Sequence, residues 1–189
     1  MTKLKLIFFL AIGILVSYAF THAGDLDPSF HSKEEVSFKI PFGRDYNYTD
    51  ILVKRVVDGD TLVLESGERV RLIGIDTPEM HDSDKLTRDS RRSQQDASVI
   101  KAMGQKAYQF TKGLIEGKRV SLEFDAERQD KYKRLLAYVY LKDGTFVNAQ
   151  VLKQGYASVM TYPPNVKYAD LFLNLYREAR ENKRGLWKD

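Results

Sequence analysis

A chain of 189 residues with 43% hydrophobic and 30% charged residues has the material for one ordinary globular core. It contains no cysteine, which excludes disulfides, thiolate catalysis and cysteine-ligated zinc or iron sites. The formal net charge of +4 is too small to indicate nucleic-acid binding by itself. Histidine is also scarce. His22, His31 and His81 lie in no recognisable motif, which argues against a Ser-His-Asp hydrolase or a histidine-rich metal site.

The first 23 residues have the organisation of a secretory signal peptide. Lys3 and Lys5 precede an almost unbroken apolar run over residues 6–20, and small residues up to Ala23 offer a cleavage site. The run is shorter than the ~20 apolar residues of a membrane-spanning helix. We therefore expect a secreted or periplasmic protein, with an uncleaved membrane tether as the alternative. Cleavage would remove the two lysines and lower the net charge to +2, leaving a monomer without stable membrane association.

Residues 24–50 are predicted to form an N-terminal arm that packs on the main domain. Its first half is polar, and residues 36–42 then alternate between apolar and other side chains, which indicates a short strand. Pro41 places that strand at a sheet edge or ends it. The domain organisation expected is a signal peptide over 1–23, an arm over 24–50 and one domain over 51–189.

Residues 51–189 show a regular succession of strand and helix patterns. Segments 51–57, 61–65 and 69–75 are short and β-branched, and Asp58-Gly59 and Ser66-Gly67 separate them as turns, which predicts an antiparallel meander. A polar stretch over 81–96 is predicted to be a mobile loop. An amphipathic helix follows from Ile100 and stops at Gly117, then strands over 119–125 and 134–141, and helices over 147–154 and 166–183. On the last helix we expect Leu171, Leu175 and Ala179 to face inward.

This order predicts an α+β fold, a five-stranded β-barrel of the OB-fold type with three α-helices. Three segments of it carry reactive side chains: 58–61, 76–79 and 130–134. Each alone is explained by structure, as a hairpin turn, a loop entry and a solvated charge run. Together they place Asp60, Asp76 and Glu79 at strand ends near Arg71 and Arg134. Carboxylates, two guanidiniums and no histidine suit phosphodiester cleavage with an oxygen-ligated metal ion.

A shared site imposes a condition on the third strand. Arg71 and Asp76 are an odd number of residues apart, so regular alternation would turn them to opposite faces. A bulge or twist must therefore lie between them, and Gly74 is its predicted position.

The segments VVDGDTLVL, RVRLIGIDTPE and DKYKRLLAYVY resemble the three signature regions of the staphylococcal nuclease (thermonuclease) family. The likeness continues through VNAQVLKQGYA, YPPN and GLW, and it covers roughly residues 51–187. Members of that family fold as this barrel with three helices. The resemblance implies hydrolysis of DNA and RNA with Ca²⁺ that leaves 3′-phosphate ends.

The resemblance also implies a role for each matching residue. Asp60 and Asp76 match the calcium-binding carboxylates, and Thr77 matches the residue that offers its backbone carbonyl to the ion. Glu79 matches the proposed general base, while Arg71 and Arg134 match the guanidiniums that bind the scissile phosphate. Positions that contact the terminal phosphate, base or sugar are matched by Lys131, Tyr132 and Tyr162.

Two departures from the family pattern stand out. The family often has a second tyrosine two residues before Tyr162, where this chain has Met160, so affinity or base preference should differ. The segment after Glu79 is longer than in the staphylococcal enzyme, and it contains Lys85, Arg88, Arg91 and Arg92. It is interpreted either as a disordered solvated loop or as a mobile basic flap on the phosphate backbone.

A non-catalytic OB-fold nucleic-acid-binding protein is the main alternative function. Such a binder has no need for three acids near the phosphate, because acids repel the ligand unless a cation intervenes. An exported carbohydrate-binding module ranks lower, because it would favour exposed aromatic side chains over paired arginines.

Overall fold

Five of the strands in the described part of the chain close into a barrel. The structure is a computed structural model and describes residues 48–188. The strands are β1 (Ile51–Asp58), β2 (Thr61–Leu64), β3 (Arg69–Leu72), β4 (Gly74–Asp76), β5 (Arg119–Glu123), β6 (Leu135–Leu141) and β7 (Ser158–Met160). The helices are α1 (Asp84–Ser93), α2 (Ala97–Ile115), α3 (Val147–Lys153) and α4 (Ala169–Glu181), followed by a 3-10 turn over Gly185–Trp187.

The predicted meander is confirmed. Strands β1, β2 and β3 pair antiparallel in sequence, and Thr61 lies opposite Arg71 across the β2–β3 ladder. Strand β3 then pairs in parallel with β6, while β5 pairs antiparallel with both β6 and β1 and closes the barrel. The interior is filled by fully buried apolar side chains from every barrel strand, among them Val53, Leu62, Leu72, Val120 and Val139.

The third predicted strand is two strands in the structure. Strand β3 ends at Leu72, and β4 begins at Gly74 and pairs with β7, a short strand that the sequence did not predict. Gly74 has a φ of +79°, and a Cβ there would lie 2.4 Å from the Phe172 ring, so both backbone and space require glycine. The predicted break between Arg71 and Asp76 is therefore confirmed at Gly74.

The predicted mobile loop over 81–96 is wrong, because most of it is the helix α1. Ser83 caps the helix by accepting a hydrogen bond from the Leu86 backbone N–H at 3.0 Å. Leu86 is buried, and Asp82 just before the helix pairs with Lys101 of α2 at 2.6 Å. One buried leucine in a run of polar residues gives no visible apolar stripe, which is why composition indicated a loop. The described chain consequently has four α-helices instead of the three predicted.

The remaining helices occupy the predicted regions. Helix α2 buries Ile100, Gly104, Ala107, Thr111 and Ile115 against the barrel side of the molecule. On α4 the buried side chains are Phe172 and Ala179, and Leu171, which was predicted to face inward, is 42% exposed. The prediction is confirmed for Ala179 and for Leu175, which is partly buried against the core, and it is wrong for Leu171, whose place is taken by Phe172.

Within residues 48–188, no helix is both long and apolar enough to cross a membrane. The predicted signal peptide over 1–23 and most of the arm, including its predicted strand, lie outside the described residues. The described end of the arm does pack on the barrel, since the Tyr48 ring contacts Phe124 and its hydroxyl donates to Glu68 at 3.0 Å.

Candidate active site

The turn between β1 and β2 holds Asp60 in a buried, fixed position. The Asp58 carboxylate accepts a hydrogen bond from the Asp60 backbone N–H at 3.1 Å, and Thr111 of α2 donates to the Gly59 carbonyl at 2.8 Å. A Cβ at Gly59 would lie 2.7 Å from the Thr77 side chain, so only glycine allows the two turns to approach. Asp60 is only 4% exposed. The Asp-Gly pair is therefore part of a built site and more than a hairpin tip.

Thr77 connects this turn to the end of β4. Its backbone N–H and its hydroxyl both donate to Asp60 Oδ2, at 2.9 and 3.1 Å, and the residue is buried. A buried carboxylate needs such donors to remain ionised. Thr77 thus fixes one oxygen of Asp60 and leaves the other to face the neighbouring strand.

Arg71 of β3 bridges the two aspartates. One of its terminal nitrogens contacts Asp60 Oδ1, and the other lies 2.8 Å from Asp76 Oδ1. Burial lowers the pKa of the Arg71 guanidinium, while the charges of Asp76 and Asp58 act in the opposite direction. Guanidinium remains protonated in proteins, so this is a genuine ion triad. The Asp60 and Asp76 carboxylates, which come from separate segments of the chain, therefore both face the Arg71 guanidinium.

Arg134, at the start of β6, is oriented by Asp130. The Arg134 Nε donates to Asp130 Oδ2 at 2.8 Å, while Asp130 Oδ1 accepts from the backbone N–H groups of Tyr132 and Arg134. Burial raises the pKa of Asp130, but the bonds to Arg134 and Tyr132 outweigh it and hold this pKa below its ordinary value. Lys131 and Arg134 both lie over the Tyr132 ring, at 5.0 and 5.5 Å from its centroid.

Helix α2 packs closely against the backbone of Glu79 and so positions this residue. A Cβ at Gly104 of α2 would lie 2.6 Å from the Glu79 carbonyl oxygen and 2.7 Å from that of Pro78. The loop that carries Glu79 therefore rests on the helix at a point where a larger residue cannot fit. Thr111, about two helical turns further along the same face, contacts the Gly59 turn. One helix thus supports both the Asp60 turn and the Glu79 loop.

Six of the nine predicted site residues line one cavity of about 610 Å³: Asp60, Arg71, Asp76, Glu79, Arg134 and Tyr162. Of the other three, Thr77 is buried behind Asp60, while Lys131 and Tyr132 connect to the cavity through Arg134. Tyr162 is 69% exposed. Its loop is held by Asn165, which exchanges two hydrogen bonds with the Glu127 backbone at 2.8 and 2.9 Å.

Sequence reasoning did not assign roles to several residues that build the site. Asp58 and Asp130 stand inside the predicted segments, and their spacing of two residues from a backbone N–H is the signal of an Asx turn. Asn165 and Gly104 act through distant backbone, which no local pattern reveals. Arg88 and Arg92 also line the cavity, whereas the sequence named them only within the basic-flap interpretation of the segment after Glu79 and not as part of the site.

The oxygen donors of the site fit a hard divalent cation. Within residues 48–188 no group of three or more His, Cys, Asp or Glu side chains is arranged to hold a metal ion. The oxygen atoms that the family resemblance assigns to a metal ion are those of the Asp60 and Asp76 carboxylates and the backbone carbonyl of Thr77. The two carboxylates already share one cation, the Arg71 guanidinium. Carboxylate and carbonyl oxygens are the ligands that Ca²⁺ prefers, and water or phosphate oxygens complete its coordination.

The fold and the site together define an OB-type barrel whose acidic and guanidinium groups meet in a cavity beside the strands. Residues 69–189 match the sequence model of the family described as staphylococcal nuclease homologue. The chain is 40% identical over 140 residues to the thermonuclease of Staphylococcus intermedius, which covers 72% of this chain and 75% of that protein. The chain belongs to the staphylococcal nuclease family.

Two relatives from Bacillus subtilis (strain 168) are similar over the same share of the chain. Identity to the SPbeta prophage-derived endonuclease YokF is 38% over 143 residues, covering 73% of this chain and 44% of that protein. Identity to endonuclease YncB is 36% over 143 residues, covering 73% and 61%. Because the match covers only 44% and 61% of these two proteins, both are longer than the region that they have in common with this chain.

Proposed function

We propose that this protein is a secreted, calcium-dependent nuclease that hydrolyses DNA, RNA or both and leaves 3′-phosphate ends. The observation that carries the proposal is the Arg71 bridge between Asp60 and Asp76, with Glu79 and Arg134 on the same cavity. Membership of the staphylococcal nuclease family supports it, as do relatives named thermonuclease and endonuclease.

The residues divide the work by charge. Asp60, Asp76 and the Thr77 carbonyl would hold calcium, which when bound supplies positive charge against the phosphate oxygens. Arg71 and Arg134 bind the scissile phosphate and stabilise the charge that develops on its oxygens in the transition state. Because Asp130 fixes the Arg134 fork, part of the orientation exists before substrate binds.

Glu79 is the candidate general base. Its carboxylate takes a proton from a water molecule as the water oxygen forms a bond to phosphorus. The bond between phosphorus and the 5′ oxygen then breaks, and that oxygen takes a proton from solvent water and leaves as a hydroxyl. The phosphate stays on the 3′ side, which accounts for the 3′-phosphate end.

Three further residues are assigned to substrate binding. Tyr132 and Tyr162 are 68% and 69% exposed, so both rings are available for contact with a base or sugar. Lys131 lies over the Tyr132 ring and adds positive charge for a terminal phosphate. None of these contacts reads a unique base edge, so the site would grip the backbone more than the sequence.

Export is the second part of the proposal. It is supported by the basic, apolar and small-residue order of residues 1–23. The absence of cysteine means that folding outside the cytoplasm needs no disulfide formation. The exported protein is proposed to act as a monomer with nucleic acid as its partner.

Digestion of denatured DNA by the purified protein tests the proposal. We expect cleavage with Ca²⁺, loss of cleavage in chelator and recovery when Ca²⁺ is restored. Glu79→Gln should lower the rate by about 10²–10⁴, the usual contribution of a general base. The product 5′ ends should accept label from a polynucleotide kinase without prior phosphatase treatment.

Glu181→Gln is the matched control, because Glu181 is an exposed carboxylate at the end of α4, remote in sequence from every site segment. It should cleave at the normal rate. Equal cleavage in chelator would contradict the calcium mechanism. Binding of DNA without any cleavage would favour the non-catalytic alternative.

A further inference from the structure

Helix α1 presents arginines to the same cavity as the candidate active site. Arg88 and Arg92 are four residues apart, so they lie on one face of the helix. Both line the cavity together with Arg71 and Arg134. The helix is an addition to the three that the family resemblance implied, and no role in the proposed reaction has been assigned to it.

The four arginines of this cavity differ in their partners. Arg71 is paired with Asp60 and Asp76, and Arg134 with Asp130. Among the described residues, by contrast, Arg88 and Arg92 take part in no ion pair or side-chain hydrogen bond, and both are exposed. Two like charges at this helical spacing repel one another and lower helix stability slightly. They are therefore arranged to receive an anion from outside the chain.

The basic surface continues beyond the active site. A second cavity of about 520 Å³ is lined by Asp84, Thr87, Arg88, Arg91 and Arg92. Arg88 and Arg92 border both cavities, so the two adjoin at these side chains. A ligand that is anionic at regular intervals, and that already has one phosphate in the active site, suits this layout.

We propose that Arg88 and Arg92 form a second phosphate-binding subsite, which holds backbone phosphates next to the scissile one on the same single strand. The proposal rests on the nuclease function proposed above and names where the substrate strand leaves the active site. Asp89 lies on the same wall and opposes the subsite with one negative charge. Two guanidiniums outweigh it, and the contact is independent of base sequence.

The helix is anchored independently of these arginines. Its N-terminus is capped by Ser83, the buried side chain is Leu86, and the ion pair between Asp82 and Lys101 ties its start to α2. Replacing Arg88 or Arg92 removes none of these contacts. Changes in substrate binding can therefore be separated from loss of the helix, which circular dichroism of each variant would check.

Salt dependence of binding is the primary test. In a Glu79→Gln background with Ca²⁺, the affinity for a labelled single-stranded oligonucleotide is measured by anisotropy over a range of salt concentrations. We expect Arg88→Gln and Arg92→Gln each to reduce the slope of log affinity against log salt by about 0.7, the value for one phosphate contact on a single strand.

Arg177→Gln is the matched control, because it removes the same charge from an exposed position of α4 and Arg177 lines neither cavity. Its slope should be unchanged. An equal reduction in Arg177→Gln would mean diffuse attraction only and overturns the proposal. An unchanged slope in Arg88→Gln and Arg92→Gln overturns it as well. Asp89→Asn should act in the opposite direction and tighten binding, and weaker binding in that variant would also count against the subsite.

Substrate length gives a second, kinetic test in the otherwise unaltered protein. The gain in kcat/KM from a dinucleotide to a long oligonucleotide should fall about tenfold in the Arg88→Gln/Arg92→Gln variant, since only the long strand reaches the helix. The two proposals fail separately. If the salt slopes fall in Arg88→Gln and Arg92→Gln but the protein never cleaves DNA, only the nuclease function is refuted. If the protein cleaves with Ca²⁺ but the gain in kcat/KM with substrate length is the same in the parent and the double variant, only the subsite is refuted.

Discussion

Asp130 determines where the Arg134 guanidinium points. Its two carboxylate oxygens accept hydrogen bonds from the Arg134 Nε–H and from two backbone N–H groups. One carboxylate therefore holds both the turn before β6 and the Arg134 side chain. Arg134 lines the same cavity as Asp60 and Arg71. A planar guanidinium can serve Asp130 with one edge and a phosphate with the other, which an ammonium group cannot do.

Arg134→Lys should therefore lower kcat severely while the protein stays folded. Removing one charged donor directed at a developing oxyanion typically costs about 10²–10³ in rate, and lysine keeps the charge but loses the fork. The measurement is kcat on denatured DNA with the thermal midpoint as a check on folding. Arg55→Lys, on an exposed position of β1, is the control and should be normal. Near-normal turnover of Arg134→Lys would remove this residue from the mechanism.

At the scale of elements, α2 is the support on which the site is assembled. It contacts the Gly59 turn through Thr111 and the Glu79 loop through Gly104. The break at Gly74 has a comparable effect on the strands, because it turns Asp76 back toward Arg71. Helix packing and one strand break, more than the strands themselves, thus bring the carboxylates together.

Gly104→Ala should impair both stability and turnover. The added methyl group would meet the backbone of Pro78 and Glu79 at under 3 Å, and backbone cannot swing aside as a side chain can. We expect a loss of about 1–3 kcal/mol in the free energy of unfolding, as for overpacking, and a lower kcat because Glu79 is displaced.

Gly113→Ala is the control for this experiment. It lies in the same helix, is exposed and has no heavy atom within 4 Å of the added group. Alanine is the better helix former by up to about 1 kcal/mol, so this variant should be as stable as the parent or more so. If Gly104→Ala unfolds at the same denaturant concentration as the parent and turns over normally, the packing argument is wrong.

At the scale of the whole molecule, a polar junction joins the barrel to the α4 side. Lys167 lies 2.6 Å from Glu123 of β5, and the Tyr168 hydroxyl contacts both Glu123 oxygens at 3.1 Å. Nearby, Asp125 accepts hydrogen bonds from the Tyr138 hydroxyl and the Lys167 backbone, each at 3.0 Å. Burial raises the pKa of both carboxyls, but these hydrogen bonds outweigh it and hold each pKa below its ordinary value.

This junction should make the protein less stable in acid. Since the folded-state pKa of Glu123 is lowered, its contribution is fully present above the ordinary carboxyl pKa of about 4 and is lost as the pH falls through the folded-state value. Glu123→Gln should lower the free energy of unfolding at neutral pH by no more than about 1 kcal/mol, because the pair is screened by solvent.

The curves of unfolding free energy against pH for parent and Glu123→Gln should converge in acid. Denaturant unfolding at several pH values measures this. Glu181→Gln changes an exposed carboxylate that has no ion pair among residues 48–188, and its curve should follow that of the parent. Parallel curves for parent and Glu123→Gln would show that the junction is not the cause.

Sequence alone determined the elements whose patterns are local. Short β-branched segments between turn signals predicted the three-stranded meander, and the helical spacing of apolar residues predicted α2. The segments 58–61, 76–79 and 130–134 identified Asp60, Asp76, Glu79 and Arg134, which line the cavity. The break at Gly74 followed from the odd spacing of Arg71 and Asp76, because a regular strand would turn the two side chains to opposite faces and exclude a shared site. These inferences hold because each depends on neighbours along the chain.

Tertiary structure decided what depends on contacts between distant residues. Helix α1 is held by one buried leucine, a cap and an ion pair to α2, so its own composition could not reveal it. Strand β7 exists because β4 pairs with it, and Phe172 replaces Leu171 inward because Gly74 leaves room for its ring. Only the folded chain brings Asp60, Arg71 and Asp76 into contact, because hydrogen bonds and close packing act across space and leave no periodic trace in the sequence.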